Sequence, residues 1–129
     1  MDGMTCEVVK ALDLAELKAF YDAQGCMVPQ SVDKLSKIVD NSVCFVVARD
    51  GGGRLIGIAR GLADGVRGYL TECKLDPACQ GPGAVTHVDG RIEHDQYGIA
   101  RQMADKVIGS LAAMGCERID AAAYGTEVD

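Results

Sequence analysis

The chain has 129 residues, of which 48% are hydrophobic and 25% are charged, and its formal net charge is −6 at pH 7. This length and composition predict a single globular domain, residues 1–129, with enough chain to bury a core. The negative charge opposes nucleic-acid binding, which needs a clustered basic face, and the absence of a long apolar run or a basic leader predicts a cytoplasmic protein that does not enter membranes.

Six cysteines are spread through predicted strands and helices rather than concentrated in a small scaffold. A chain of this length with such spacing is better explained by reduced core thiols than by disulfides. The positions are Cys6, Cys26, Cys44, Cys73, Cys79 and Cys116.

The first predicted elements are a strand over residues 4–9 and two helices. Asp13 and Glu16 have the spacing of a capping box, which predicts that the first helix begins there. Ser31 can cap a second helix that runs through Asp40. The apolar positions of the two helices recur at helical spacing and are Leu14, Leu17, Tyr21, Leu35, Ile38 and Val39.

Two apolar runs follow, Val43–Arg49 and Leu55–Leu62, separated by a glycine-rich stretch over residues 50–54. Apolar runs joined by such a turn predict an antiparallel hairpin. A third strand is predicted over Gly68–Leu75.

The C-terminal part of the chain predicts one more helix and one more strand. The helix covers Ile99–Met114, and Gly115 occupies the position just past the helix end where glycine is favoured. The last strand covers Arg118–Tyr124.

Two short segments on either side of residues 84–98 form one phosphate-loop pattern when they are joined. Gln80, Gly81, Pro82 and Gly83 precede the interruption, and Ile99 and Ala100 follow it, so the join reads Gln-x-x-Gly-x-Ala. Glycines allow the backbone to approach an anion, and the amides at a helix start together with the helix dipole attract it. The pattern therefore predicts a pyrophosphate-binding loop that is interrupted by fifteen residues.

The joined pattern resembles the loop of the GNAT superfamily of acyl-CoA N-acyltransferases, which reads Gln or Arg, two residues, Gly, one residue, then Gly or Ala. The segment YLTECKLDP, Tyr69–Pro77, is similar to the fourth strand of that family, and the resemblance extends over residues 4–124. It implies a mixed α+β fold with a mostly antiparallel sheet flanked by helices, and acetyl-CoA as the cofactor. The family's loop assigns Gln80, Gly81, Gly83, Gly98, Ile99 and Ala100 to cofactor binding.

The resemblance also assigns roles to residues of the predicted strand Gly68–Leu75. In the family this strand splays from its neighbour at a bulge, and its backbone binds the pantetheine arm and the thioester carbonyl. The matching residues are Cys73, Lys74 and Leu75. A plain central strand with a charged face is the alternative interpretation.

Acetyl transfer in this family depends on holding the thioester while a deprotonated amine attacks it. Glu72, beside the thioester strand, is the candidate base, with a solvent-facing strand carboxylate as the alternative. Tyr124 is a weaker candidate acid, with an edge aromatic as the alternative. The acceptor is a primary amine of a small molecule or a protein, and the negative net charge mildly favours a cationic one. A non-catalytic module that binds acyl-CoA or a protein partner is the second functional hypothesis.

Two departures from the family pattern accompany the resemblance. The family continues past its fifth strand, so the resemblance implies that the C-terminal part is missing here and that the last strand leaves an open edge, which predicts a homo-oligomer. The second departure is the insert 84–98, whose added closure entropy is only about 1 kcal/mol, so the fold can accept it as an excursion with its ends together. The other possibility is that Gly98 replaces Gly83, which would put the carboxylate of Asp95 where the family has Gln or Arg.

The insert also contains both histidines of the chain, His87 and His94, near several acidic residues. Their spacing does not match the short paired gaps of a structural zinc site. We therefore predict no metal ion.

Overall fold

The computed structural model describes residues 3–24, 31–76, 79 and 98–121. Five strands and three helices occur in the order that the sequence predicts. They are β1 (Thr5–Val9), α1 (Leu14–Ala23), α2 (Val32–Asn41), β2 (Cys44–Arg49), β3 (Leu55–Ala63), β4 (Arg67–Leu75), α3 (Ile99–Ala113) and β5 (Arg118–Ala121). Across these ranges no helix combines the length and the apolar character needed to cross a membrane.

The strands form one mixed sheet in the order β1-β2-β3-β4-β5. The pairs β1/β2, β2/β3 and β3/β4 are antiparallel, whereas β5 is parallel to β4. Parallel neighbours need a crossover between them, and α3 lies in that connection. The predicted α+β class, with a mostly antiparallel sheet flanked by helices, is confirmed.

Both faces of the central hairpin are buried, because successive side chains of a strand point to opposite faces and each face packs against helices. Helix α3 covers one face, whose core we call the α3 core. Its buried members are Cys44, Val46, Ala48, Ile56, Ala59, Leu75, Cys79, Ile99, Ala100, Met103, Val107 and Leu111. Helices α1 and α2 cover the other face, and this second core contains Leu17, Phe20, Tyr21, Leu35, Phe45, Val47, Leu55 and Ile58.

The helix starts confirm two caps and correct one detail. The Asp13 side chain accepts a hydrogen bond from the amide of Ala15, and the Ser31 hydroxyl accepts one from the amide of Lys34. The capping box is wrong in its second half: both carboxylate oxygens of Glu16 accept hydrogen bonds from Arg49 on β2, at 2.8 and 2.9 Å. A bidentate guanidinium pair is stronger than a neutral backbone contact, so the tertiary partner takes the carboxylate.

The C-terminal boundaries agree with the sequence where the structure describes them. Helix α3 ends at Ala113 with Met114 as its cap, and Gly115 has a φ of 95°, the left-handed conformation predicted for that position. Strand β5 begins at Arg118 as predicted and is described as far as Ala121. The rest of the predicted strand, up to Tyr124, lies outside the described residues.

Strand β4 contains a bulge at Thr71. Arg60 of β3 pairs with Glu72, but the next β3 residue, Gly61, pairs with Leu70, so Thr71 is an extra residue on β4. The bulge that the family resemblance implies for this strand is therefore present, and it directly precedes the predicted base.

None of the five cysteines within the described ranges forms a disulfide, in agreement with the predicted reduced thiols. Cys44 and Cys79 are buried in the α3 core. Burial also raises the pKa of the Cys6 and Cys79 thiols, which favours the neutral form. These residues act as small apolar core side chains, and Cys26 lies outside the described ranges.

Helix α3 approaches β3 most closely at Gly57. A Cβ atom at Gly57 would lie 2.8 Å from Cε and 2.9 Å from Sδ of Met103, which is fully buried. Gly109, on the exposed side of α3, has nothing within 4 Å of the same position. The two glycines therefore serve different purposes, since only Gly57 permits a close contact.

We expect Gly57→Ala to destabilise the protein by about 1 kcal/mol, the low end of the overpacking range, because the flexible end of the buried Met103 side chain must shift. Gly109→Ala is the matched control and should stabilise it by about 0.5–1 kcal/mol, since alanine is the better helix former. Urea unfolding followed by circular dichroism measures both values. An unchanged or raised stability in Gly57→Ala would contradict the close packing of α3 on β3.

Candidate functional site

The carboxylate of Glu72 lies at the centre of a hydrogen-bonded group that joins three elements. Its Oε2 accepts a hydrogen bond from the Tyr21 hydroxyl of α1 at 2.7 Å and another from Nε of Arg60 on β3 at 2.6 Å. Tyr21 is only 1% exposed, whereas the side chains of Arg60 and Glu72 are 16% and 20% exposed. The expected solvent-facing alternative for Glu72 is therefore wrong, because the carboxylate is largely covered and paired.

The guanidinium of Arg60 extends this group towards α2. Its second nitrogen, Nη1, donates to the hydroxyl of Ser42 at 3.3 Å, and that hydroxyl donates to the carbonyl of Ile38 at 2.6 Å. The Arg60 guanidinium thus binds two partners, the Glu72 carboxylate on β4 and the hydroxyl of Ser42, the C-cap residue of α2.

The two oxygens of Glu72 differ in their surroundings. Both donors bind Oε2, and Oε1 takes part in none of the hydrogen bonds among the described residues. The lone pairs of Oε1 are consequently the ones that an incoming hydrogen-bond donor would meet.

The Tyr21 hydroxyl is held in its protonated form. Burial is the largest cause that raises the pKa of Tyr21, and the negative charge of Glu72 and the hydrogen bond to it raise it further. Tyr21 therefore acts as a fixed donor to Glu72.

On the opposite face of β4, Cys73 and Leu75 face α3. Cys73 and Leu75 pair with Ala59 and Gly57 of β3 and pack in or against the α3 core. The thiol of Cys73 lies 3.5 Å from the carbonyl oxygen of Ala100, near the first turn of α3. Lys74, between them, points to the α1/α2 face by alternation and is 7% exposed.

The second half of the split loop pattern lies at the start of α3. Gly98 is the N-cap residue with a φ of 71°, and no atom of the described residues lies within 4 Å of where its Cβ would be. Ile99 and Ala100 follow as buried residues of the first turn. Cys79, which directly precedes Gln80, belongs to the same buried cluster as Ile99 and Ala100. Cys79, which lies outside the pattern, and the described residues Ile99 and Ala100 of its second half are thus parts of one core.

Pairing between β4 and β5 is described over Arg67–Leu70 on β4 and Arg118–Ala121 on β5. The segment Cys73–Leu75 comes after that paired region and after the bulge at Thr71. The start of α3 and the carboxylate of Glu72 therefore flank the same stretch of β4, on opposite faces of the sheet.

Comparisons with known proteins bear on this arrangement through structure alone. No family model matches the sequence, and no curated protein matches it by sequence. Among solved structures, a GNAT-family acetyltransferase from Streptococcus pneumoniae is similar with a TM-score of 0.68 and 17% identity, over 97% of this chain and 79% of that one.

Two further solved structures share the same architecture. Glucosamine-6-phosphate N-acetyltransferase from Arabidopsis thaliana has a TM-score of 0.64 and 10% identity, over 94% of this chain and 84% of that one. An aminoglycoside N-acetyltransferase in complex with CoA has a TM-score of 0.66 and 13% identity, over 95% of this chain and 78% of that one.

The chain has the GNAT fold. The resemblance drawn from the split loop and from strand β4 is confirmed at the level of the fold. At identities of 10–17% the similarity concerns the backbone arrangement and not the identity of a substrate.

Several predicted site residues of the GNAT pattern lie outside the described residues. They are Gln80, Gly81 and Gly83 in the first half of the loop, and Tyr124, the candidate acid. Their predicted roles stay predictions, as do the roles of the described residues Cys73, Lys74, Leu75, Gly98, Ile99 and Ala100 in cofactor binding.

A small cleft lies beside α1 at the edge of the second core, with a volume of about 150 Å³. At its mouth Arg54 forms a 2.5 Å ion pair with the buried carboxylate of Asp76. The lining residues are Glu16, Ala19, Phe20, Ala23, Arg54, Leu55 and Asp76. None of them is a predicted site residue, and we assign no function to this cleft. Within the described ranges no group of three potential metal ligands occurs.

Sequence reasoning missed the two partners of Glu72. Helical spacing places Tyr21 on the apolar face of α1, and Arg60 lies within the predicted strand Leu55–Leu62 with no predicted role. A signal for Tyr21 exists in principle, because a tyrosine on a buried helix face needs a partner for its hydroxyl. Arg60 interrupts an otherwise apolar strand, and a charge in such a position requires a counter-charge on a neighbouring strand.

The raised pKa of Tyr21 predicts a pH dependence of stability. The folded state keeps the phenol proton where the unfolded chain, with a pKa of about 10, loses it, so stability present below that pH falls above it, by up to about 1.4 kcal/mol per pH unit. Urea unfolding between about pH 9.5 and 11 should therefore show a steeper decline in the wild type than in Tyr21→Phe. Phe20→Leu, a packing change in the same helix, should keep the steep decline. Equal slopes in the wild type and Tyr21→Phe would contradict the prediction.

Proposed function

We propose that the protein is a GNAT-type N-acetyltransferase that transfers the acetyl group of acetyl-CoA to a primary amine of a small molecule or a protein. The observation that carries the proposal is the placement of a carboxylate with one open oxygen, Glu72, next to the bulge of β4. The stretch Cys73–Leu75 and the start of α3 lie on the other side of the same strand. The two reactants of an acetyl transfer would meet at the edge of β4 between these two faces, beyond the described pairing with β5.

Acetyl-CoA would bind along β4 and at the start of α3. Backbone groups of Cys73, Lys74 and Leu75 would hold the pantetheine arm and the thioester carbonyl. The positive end of the α3 dipole, at the N-cap residue Gly98, suits the pyrophosphate. In this proposal the insert 84–98 is an excursion with its ends together, so that Gln80, Gly81 and Gly83 can contribute amides.

The chemical step would begin at Oε1 of Glu72. The acceptor amine gives a proton to this oxygen, directly or through a water, while its nitrogen attacks the thioester carbonyl carbon. The bond between that carbon and sulfur then breaks, the amide forms, and the leaving thiolate of CoA takes up a proton, for which Tyr124 is the candidate donor. Atoms and charge balance without a metal or a redox partner.

The similar solved structures support this class of reaction. One is a glucosamine-6-phosphate N-acetyltransferase, and another is an aminoglycoside N-acetyltransferase in complex with CoA. Both names describe acetyl transfer to an amine, and we propose the same reaction class here. The described cysteines, none of which forms a disulfide, fit a reducing compartment, in line with the cytoplasmic location proposed from the sequence.

We expect Glu72→Gln to lower kcat for acetyl transfer by about 100- to 10,000-fold, because the amide cannot accept the amine proton. Its affinity for acetyl-CoA, measured by isothermal titration calorimetry, should stay unchanged. A time-of-flight screen of amine pools with acetyl-CoA identifies the acceptor for the assay. Glu7→Gln, an exposed change on the distant β1, is the control and should keep full activity.

Two results would redirect the proposal. Full transfer activity in Glu72→Gln would remove the base assignment. Binding of acetyl-CoA by the wild type without transfer to any amine would favour the non-catalytic module, for which the interrupted loop pattern is the supporting observation.

We also propose that the protein forms a homo-oligomer through an edge of its sheet. The outer strands of the described sheet are β1 and β5, and β5 exposes Arg118 and Ala121. An edge strand offers unpaired backbone groups to a second copy.

Size-exclusion chromatography with light scattering should therefore give a mass of at least two chains at micromolar concentration. Dilution should shift the mass towards that of one chain. A stable monomer throughout the micromolar range would remove the oligomer proposal and would leave the proposed reaction untouched.

A further inference from the structure

The orientation of the Glu72 carboxylate is restricted, because two strong hydrogen-bond donors bind the same oxygen. Tyr21 and Arg60 both bind Oε2, at 2.7 and 2.6 Å. Hydrogen bonds to an ionised carboxylate are short and directional, so each donor restricts the rotation of the carboxylate plane. With Oε2 occupied, Oε1 is turned away from both donors.

The two donors are themselves held in place. The Tyr21 ring is part of the second core, and its side chain is almost fully buried. Arg60 is paired across the strands with Glu72 at the bulge and is tied to Ser42 through its second nitrogen. The positions of both donor side chains are therefore fixed by the surrounding fold.

The geometry points to Arg60, assisted by Tyr21, as a positioning residue that fixes Glu72 so that Oε1 alone faces the acceptor amine. This inference rests on the proposed function, in which Glu72 accepts the amine proton. Arg60 would touch neither substrate, and its effect on the reaction would pass entirely through Glu72.

Every charged group near Glu72 on the described elements fits this assignment. Arg60 is the cation in direct contact, Tyr21 is a neutral donor, and Lys74 is two residues along β4 on the same face. On β5, the Asp120 carboxylate lies on this face too, but Arg118 binds it at 3.2 Å and Arg67 lies 4.0 Å from it. Arg60 is therefore the cation that sets the orientation of Glu72.

The test is a kinetic double-mutant cycle on Arg60 and Glu72. We expect Arg60→Met to lower kcat by about 10- to 100-fold, because a displaced base loses its alignment with the amine. In a Glu72→Gln background the same change should have no further effect, since its target is already gone. The KM for acetyl-CoA should stay the same in all four proteins.

Conservative variants keep the test valid if Arg60→Met folds poorly, since that change leaves a half-buried carboxylate without its cation. Arg60→Lys should recover most of the lost kcat. Tyr21→Phe, which removes one of the two donors and keeps the ring, should show an intermediate loss. Arg49→Met is the control, because Arg49 forms a comparable half-buried pair with Glu16 away from the site. It should lower the unfolding temperature without changing kcat.

The outcomes separate this inference from the proposed function. An equal loss of kcat from Arg60→Met in both backgrounds would show a general structural effect and overturn the positioning role. Full activity in Arg60→Met would overturn it as well, while leaving the acetyltransferase in place. A wild type that transfers acetyl to no amine would overturn the proposed function, and with it this role for Arg60.

Discussion

The extra residue at Thr71 decides which face of the sheet Glu72 occupies. Leu70 packs against the α3 core, so strict alternation along β4 would point Glu72 to that same apolar core. The bulge inserts one residue and reverses the alternation. Glu72 then lies on the α1/α2 face beside Tyr21, while Cys73 and Leu75 lie on the α3 face beside the start of α3. This one inserted residue thus places the proposed base on one face of the sheet and the proposed cofactor-binding residues Cys73 and Leu75 on the other.

Placing a carboxylate at the rim of an apolar core has an energetic cost that only direct partners can offset. The second core ends near Ile58, and Arg60 follows it two positions later on the same face of β3. The pairing of Arg60 with Glu72 brings the two charges side by side on neighbouring strands, and Tyr21 closes the group from the helix above. The same contacts that make the buried charge tolerable also fix its direction, so stability and the proposed function depend on one set of hydrogen bonds.

Local signals were sufficient for most of the fold, and tertiary contacts account for what they missed. Ser31 and Gly115 marked helix ends because caps depend on neighbouring backbone, and the glycine-rich turn after Asp50 marked the hairpin. Glu16 was misjudged because its partner, Arg49, is 33 residues away. Glu72 was found through its place in a resembling strand, but its partners were not, since Arg60 and Tyr21 reach it only through the pairing of β3 with β4 and the packing of α1 on the sheet.

The net charge of the chain is a poor guide to the acceptor, because it does not describe the charges nearest the site. A charge of −6 describes the whole molecule and its long-range field. On the described face around Glu72, however, the carboxylate of Glu72 is paired with Arg60, and that of Asp120 is paired with Arg118. Salt screens interactions between exposed charges beyond about 8–10 Å, so an amine at Oε1 responds chiefly to the Glu72–Arg60 pair beside it. The global argument for a cationic acceptor therefore loses its force at the site itself, where the nearest described carboxylate already has a cationic partner.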